Sequence, residues 1–149
     1  MDMKSENIIF DTVAIIGIGL IGSSIARGIK KNRIARRVFG YAKTAATREK
    51  AGELGYMDRI FDTSAGAVND ADLIILCAPV GSNADIMKEI KGHLKRGSII
   101  TDVGSVKKAV IDQIDEHLPD GVSFIPGHPI AGTEFSGPES GRRLRRWCR

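Results

Sequence analysis

The chain has 149 residues, 42% of them hydrophobic and 27% charged, with a formal net charge of +4; that length fits one domain with a proper core and no need of disulfide staples. Its two cysteines, Cys77 in an apolar run and Cys148 near the C-terminus, are too few and too differently placed for a disulfide framework or a metal site, which suits a reducing cytoplasm. The opening MDMKSENIIFDTVAII, with acids near its front and Asp11 breaking its apolar run, reads neither as a signal peptide nor as a membrane span. In chain order, strands are expected at Thr12–Ile16, Arg37–Tyr41, weakly at Arg59–Phe61, then at Leu73–Ala78, Ser98–Val103 and Val122–Ile125. Helices are expected between them at Leu20–Lys30, Thr44–Leu54, a short one near Ala65–Val68, Asn83–Leu94 and Val106–His117. Repeated strand–helix–strand units, with strands such as IILCAPV and SIITDV that are apolar without alternation, predict an α/β fold: a Rossmann-type doubly wound, mainly parallel sheet covered on both faces.

The basic balance lies at the end of the chain. Arg142, Arg143, Arg145, Arg146 and Arg149 supply five charges with no acid after Gly141, and without them the net charge of +4 falls to −1. A nearly neutral body offers no basic stripe with aromatic platforms, so no nucleic-acid partner is expected. The expected organisation is a dinucleotide-binding domain over residues 1–140 and an arginine-rich, aberrant or unstructured tail over residues 141–149.

The most specific local feature is VAIIGIGLIGSS from Val13 to Ser24. A buried strand runs into Gly17, Gly19 and Gly22 and then into a helix. Gly17 permits the tight turn, Gly19 lets the backbone approach a pyrophosphate, and Gly22 lets helix and strand pack closely. Leu20 and Ile21 open the helix, whose free N–H groups and dipole favour an anion. In such a sheet function collects at the carboxyl ends of the strands. The expected cofactor-binding set is therefore Gly17, Gly19, Leu20, Ile21 and Gly22, with Ala42, Lys43 and Thr44 after the second strand, and Ala78, Pro79, Val103 and Gly104 after later ones.

An NAD-binding unit usually carries Asp or Glu about 20 residues past the glycines, on the ribose 2′-hydroxyl. Ala42 stands there instead, followed by Lys43 and Thr44, with Arg48 nearby. Without a carboxylate nothing opposes a 2′-phosphate, and these residues are possible donors to it. Lys43 and Arg48 read equally well as solvated charges at a helix start. The cofactor is NAD or NADP, with a slight lean to NADP.

TDVGSVK from Thr101 to Lys107 and PGHPIAGTEFSGPES from Pro126 to Ser140 resemble the prephenate/arogenate (cyclohexadienyl) dehydrogenases of tyrosine biosynthesis. With the glycine loop and DLIILCAPV, the resemblance spans most of Val13 to Ser140. It implies NAD(P)-dependent oxidative decarboxylation of prephenate or arogenate, with hydride leaving the ring carbinol. It casts His128 as the base that takes the hydroxyl proton, a role a neutral imidazole can fill at cytoplasmic pH. It casts Ser105 as the hydroxyl that contacts both imidazole and substrate, a role compatible with Ser105 also capping the helix starting near Val106. Thr133 and Glu134 fall at the substrate edge of the motif. Glu134 reads as a gate or ionic contact, or equally as an exposed loop glutamate. Lys107 and Lys108 read as surface charges, and His93 and His117 as helix-end residues; no metal is expected.

Family members continue into a second, helical domain that closes the site, supplies a histidine and an arginine to the substrate carboxylates, and dimerises. That C-terminal helical dimerisation domain is absent from this sequence, and GRRLRRWCR after Ser140 departs from the family pattern, as a frameshift or truncation would. A homodimer is therefore expected only with that domain. The alternatives are a non-catalytic nucleotide-binding module, which binds cofactor weakly without turnover, and more distantly a β-hydroxyacid dehydrogenase.

Overall fold

The structure is a computed structural model that describes residues 8–128. The elements alternate as expected: β1 (Phe10–Ile16), α1 (Leu20–Asn32), β2 (Ala35–Tyr41), α2 (Ala45–Leu54), β3 (Arg59–Phe61), α3 (Ser64–Val68), β4 (Leu73–Leu76), α4 (Asn83–Ile90), β5 (Ile99–Asp102), α5 (Lys107–Asp115) and β6 (Ser123–Ile125). Short 3-10 turns at Val80–Ser82 and Lys91–His93 flank α4. The sheet order is β3-β2-β1-β4-β5-β6, and every pairing is parallel. Two βαβαβ halves therefore diverge from the β1–β4 seam, which is the topological switch point where such sheets open a crevice.

Sequence alternation along β1 explains why both faces are covered. Val13 and Ile15 point to the face that packs with Ala26 and Ile29 of α1. Ala14 and Ile16 point to the opposite face, among Val68 of α3, Met87 and Ile90 of α4, and Val110 and Ile114 of α5. All four β1 residues are fully buried, as the period of two requires in a strand sandwiched between helix layers.

Several boundaries differ from expectation for local reasons. Both β1 and β2 begin two residues earlier than the apolar runs suggest. Leu73–Ala78 shortens to Leu73–Leu76 because the chain leaves the ladder after the Cys77 N–H donates to Ile16 O at 2.7 Å. The helix expected to reach Leu94 stops at Ile90 and tightens into a 3-10 turn around Gly92. Thr44 starts α2 as its N-cap, accepting from Thr47 N at 3.2 Å, and Thr63 caps α3 in the same way.

Two carboxylates pin the other edge of the sheet. Asp72, just before β4, accepts from the N–H groups of Asp11 at 2.9 Å and Thr12 at 3.0 Å with Oδ2, while its Oδ1 meets Lys95. Asp58 accepts from Val38 N at 2.7 Å and from Lys30 at 2.5 Å. The Lys95 hydrogen bond holds the Asp72 carboxyl below its ordinary value; burial opposes this, and the two backbone donors add to it. A depressed folded pKa gives stability that is fully present above the unfolded value, near 3.9, and is lost as pH falls through the folded value. Asp72→Ala strands two N–H groups of β1, one of them on fully buried Thr12. It is expected to cost about 1–3 kcal/mol at neutral pH. Urea unfolding of both proteins at pH 7 and pH 3 checks this, since the gap between them narrows at acid pH.

Candidate active site

The glycine loop lies at the carboxyl end of β1, against β4. Gly17 has φ +102°, and a Cβ placed there would stand 2.7 Å from Ala78 N and 2.8 Å from the Cys77 carbonyl carbon, so the turn needs glycine for conformation and for space. At Gly22 an added Cβ would collide with Gly17 O and come within 3.1 Å of Ile15 Cγ2. Gly19 differs: a Cβ there would meet nothing within 4 Å. Two glycines are thus demanded by the protein's own backbone, and the third faces open space. Gly19 is also the N-cap of α1, without a side-chain cap and without an acid in the first turn. The N–H groups of Leu20 and Ile21 begin the helix at that open face, a setting that suits an anion. The residues present therefore fit a dinucleotide pyrophosphate.

At the end of β2, Ala42 is buried against Ile18 and Ala51. Arg48 folds back over this turn, donating through Nη1 to Ala42 O at 2.7 Å and to Lys43 O at 3.1 Å. The Thr44 hydroxyl is engaged in its cap, donating to Thr47 Oγ1 at 2.7 Å. Lys43 is exposed. Of the three residues first considered as donors to a 2′-phosphate, Lys43 is the one whose side chain makes no hydrogen bond or ion pair among the described residues.

The loops after β4, β5 and β6 meet at the same edge. Burial pushes the Cys77 thiol up to about 12, and the charge of Asp102 adds to the effect, so no thiolate nucleophile sits beside the glycine turn. Ala78 and Pro79 follow it, with Val80 opening the 3-10 turn before α4. After β5, Val103 and Gly104 are half-buried and Ser105 is exposed. The N-cap of α5 is Val106, with no side-chain cap bond, so the capping role considered for Ser105 does not hold and its hydroxyl is left to other work. After β6, His128 is exposed as well. Among the described residues no hydrogen bond joins Ser105 to His128. The expected substrate residues Thr133 and Glu134, and the tail from 141, lie outside the described residues.

Asp102, which sequence reasoning passed over, organises this corner. Its buried carboxylate accepts from Gly104 N at 2.8 Å, Lys107 Nζ at 2.5 Å and Gly127 N at 3.1 Å. Lys107 is therefore not the surface charge its position suggested, whereas Lys108 is one, pairing with exposed Asp112 one helical turn on. The signal available in the sequence was an acid ending an apolar strand, with glycine two residues later and lysine five residues later.

The family profile described as "Prephenate dehydrogenase, nucleotide-binding domain" matches residues 25–144. The chain belongs to the prephenate dehydrogenase family. It is 41% identical over 133 residues to the cyclohexadienyl dehydrogenase of Zymomonas mobilis, covering 89% of this chain and 45% of that protein. Its fold matches the crystal structure of Synechocystis arogenate dehydrogenase with a TM-score of 0.79 and 30% identity, over 89% of this chain and 45% of that one. It also matches prephenate dehydrogenase from Aquifex aeolicus, solved with hydroxyphenyl propionate and NAD+, with a TM-score of 0.73, 27% identity, and coverage of 89% and 46%. The chain thus spans less than half the length of these members of the prephenate dehydrogenase family.

The three glycines separate in their expected cost. Gly22→Ala should destabilise by about 1–3 kcal/mol through overpacking, and Gly17→Ala should add backbone strain of about 1–3 kcal/mol. Gly19→Ala should cost no more than about 1 kcal/mol, the scale of a lost N-cap preference. Thermal unfolding of the three variants gives the ranking.

Proposed function

We propose that this chain is the cofactor-binding part of an NAD(P)-dependent dehydrogenase that oxidatively decarboxylates prephenate or arogenate on the way to tyrosine. What supports the reading is convergence: the segments bearing Ser105 and His128 leave the neighbouring strands β5 and β6 at the sheet edge that carries the glycine loop. A bound nicotinamide supplies the hydride acceptor. Gly19 and the amides of Leu20 and Ile21 would hold the pyrophosphate on the turn that Gly17 and Gly22 shape, and Ala78, Pro79, Val103 and Gly104 would line the path toward the reacting end. His128 takes the proton of the ring hydroxyl as the hydride departs. Ser105 orients the imidazole and the hydroxyl, as a base needs a third group to fix its geometry. Thr133 and Glu134 contact substrate, and the substrate carboxylates are met by residues outside this chain's span.

The test is steady-state reduction of NAD+ and NADP+ with prephenate and with arogenate, by the 149-residue chain and by that chain joined to the remaining half of a relative. The longer protein is expected to turn over and the shorter one only to bind cofactor. In the longer protein His128→Asn should lower kcat by about 10²- to 10⁴-fold, the range for loss of one general base, with cofactor affinity retained. An unchanged rate would remove His128 from the chemistry.

For the cofactor, we propose a preference for NADP resting on Lys43. Ala42 leaves no carboxylate to repel a 2′-phosphate, but its burial makes Lys43, which reaches solvent, the cleaner probe. Lys43→Gln should weaken NADP+ by about three- to ten-fold and leave NAD+ unchanged, the scale of one exposed charge contact. Equal effects on both cofactors in a fluorescence titration would place the ribose elsewhere.

A further inference from the structure

Three donors from three places in the chain converge on one carboxylate. Asp102 Oδ2 accepts from the Gly104 amide and the Lys107 ammonium, and Oδ1 accepts from the Gly127 amide, 25 positions away. The Asp102 side chain is 1% exposed and that of Lys107 29%. A carboxylate this deep is tolerated only with a cation and hydrogen bonds on its oxygens, and here it has both. None of these three bonds belongs to the strand ladder; two tether the loops after β5 and β6, and the third holds the start of α5.

The two glycines show how closely those loops are drawn in. A Cβ at Gly104 would stand 3.0 Å from Asp102 Oδ2 and 2.9 Å from Val110 Cγ2. One at Gly127 would stand 2.7 Å from Asp102 O and 3.1 Å from Thr101 Oγ1. Each backbone approaches Asp102 along a line that a side chain would block. The residue following Gly104 is Ser105, and the residue following Gly127 is His128.

We propose that Asp102 and Lys107 are positioning residues for the reaction: the shared carboxylate fixes the separation of Ser105 and His128 by holding the amide immediately before each. Lys107 supplies the counter-charge that lets the carboxylate stay buried between the two loops, and ties the start of α5 to the same point. This inference rests on the reading of Ser105 and His128 as the reacting pair.

Amide hydrogen exchange by NMR on the 149-residue chain tests it without turnover. In Asp102→Asn the side-chain amide presents donors to donors, and in Lys107→Met the carboxylate loses its cation. Both variants should speed exchange at Gly104 and Gly127 by about ten-fold or more, the loss of a charge-assisted hydrogen bond. Ile75 and Leu76 in the sheet should stay within about two-fold, and the His128 Cε1–H resonance should move. Lys107→Arg should restore the original pattern. Unchanged exchange at Gly127 in both disruptive variants overturns the proposal. So does equal acceleration at Gly127 and Ile75, which would make the pair a source of general stability only. If Asp102→Asn does not fold, Lys107→Met decides by the same comparison. Should exchange respond as expected while His128→Asn in the longer protein keeps its full rate, the geometry stands and the assignment of the base fails.

Discussion

Close backbone contact between Gly17 and the Cys77–Ala78 peptide sets the spacing of everything at the carboxyl edge of the sheet. The parallel β1–β4 pairing brings these segments together, and only a residue without Cβ at φ +102° can turn away there. Once that turn is made, α1 must begin against it. Gly22 in turn has to lie flat on Gly17 O. The crevice at this edge is then less a cavity carved into the fold than the gap left when β1 and β4 send their chains in opposite directions.

Electrostatics at that edge are divided between its two sides. On the glycine side, the uncapped start of α1 leaves amide donors and partial positive charge facing open space. On the β5–β6 side, the one deeply buried carboxylate among the described residues, Asp102, is consumed internally by Lys107 and two backbone amides. Burial, with the Asp102 charge adding to it, raises the pKa of the Cys77 thiol, the free cysteine among the described residues. Among the described residues, the loops after β5 and β6 present an exposed hydroxyl on Ser105 and an exposed imidazole on His128, groups that can both donate and accept a proton.

The features legible from sequence were those governed by local rules. Unbroken apolar strands declared a sheet buried on both faces, and the spacing of Gly17, Gly19 and Gly22 declared a turn into a helix. Even the strand weakly expected at Arg59–Phe61 is present, paired in parallel with β2. The Asp102–Lys107 pair escaped because its meaning depends on a third group, the Gly127 amide, which only tertiary folding brings near. Ala42 shows the same limit. Its place in the sequence is where a ribose-binding acid is usual, but its burial with Ile18 and Ala51 follows from how α2 returns over β2. Ser105 looked like a cap because serines before helices usually are, yet α5 starts one residue too late for that.

The β1–β4 seam also has a kinetic meaning. The Asp72 contacts that seat β4 beside β1 join residues 61 and 60 positions apart, so the floor of the crevice does not exist until the chain has closed a long loop over the whole β2–β3 half. Closure of that kind is paid in chain entropy before any contact rewards it, which slows folding. A ligand that needs both β1 and β4 has nothing to grip before that closure. Its binding energy accrues to the native state alone, lengthening the lifetime of the folded protein without hastening its formation.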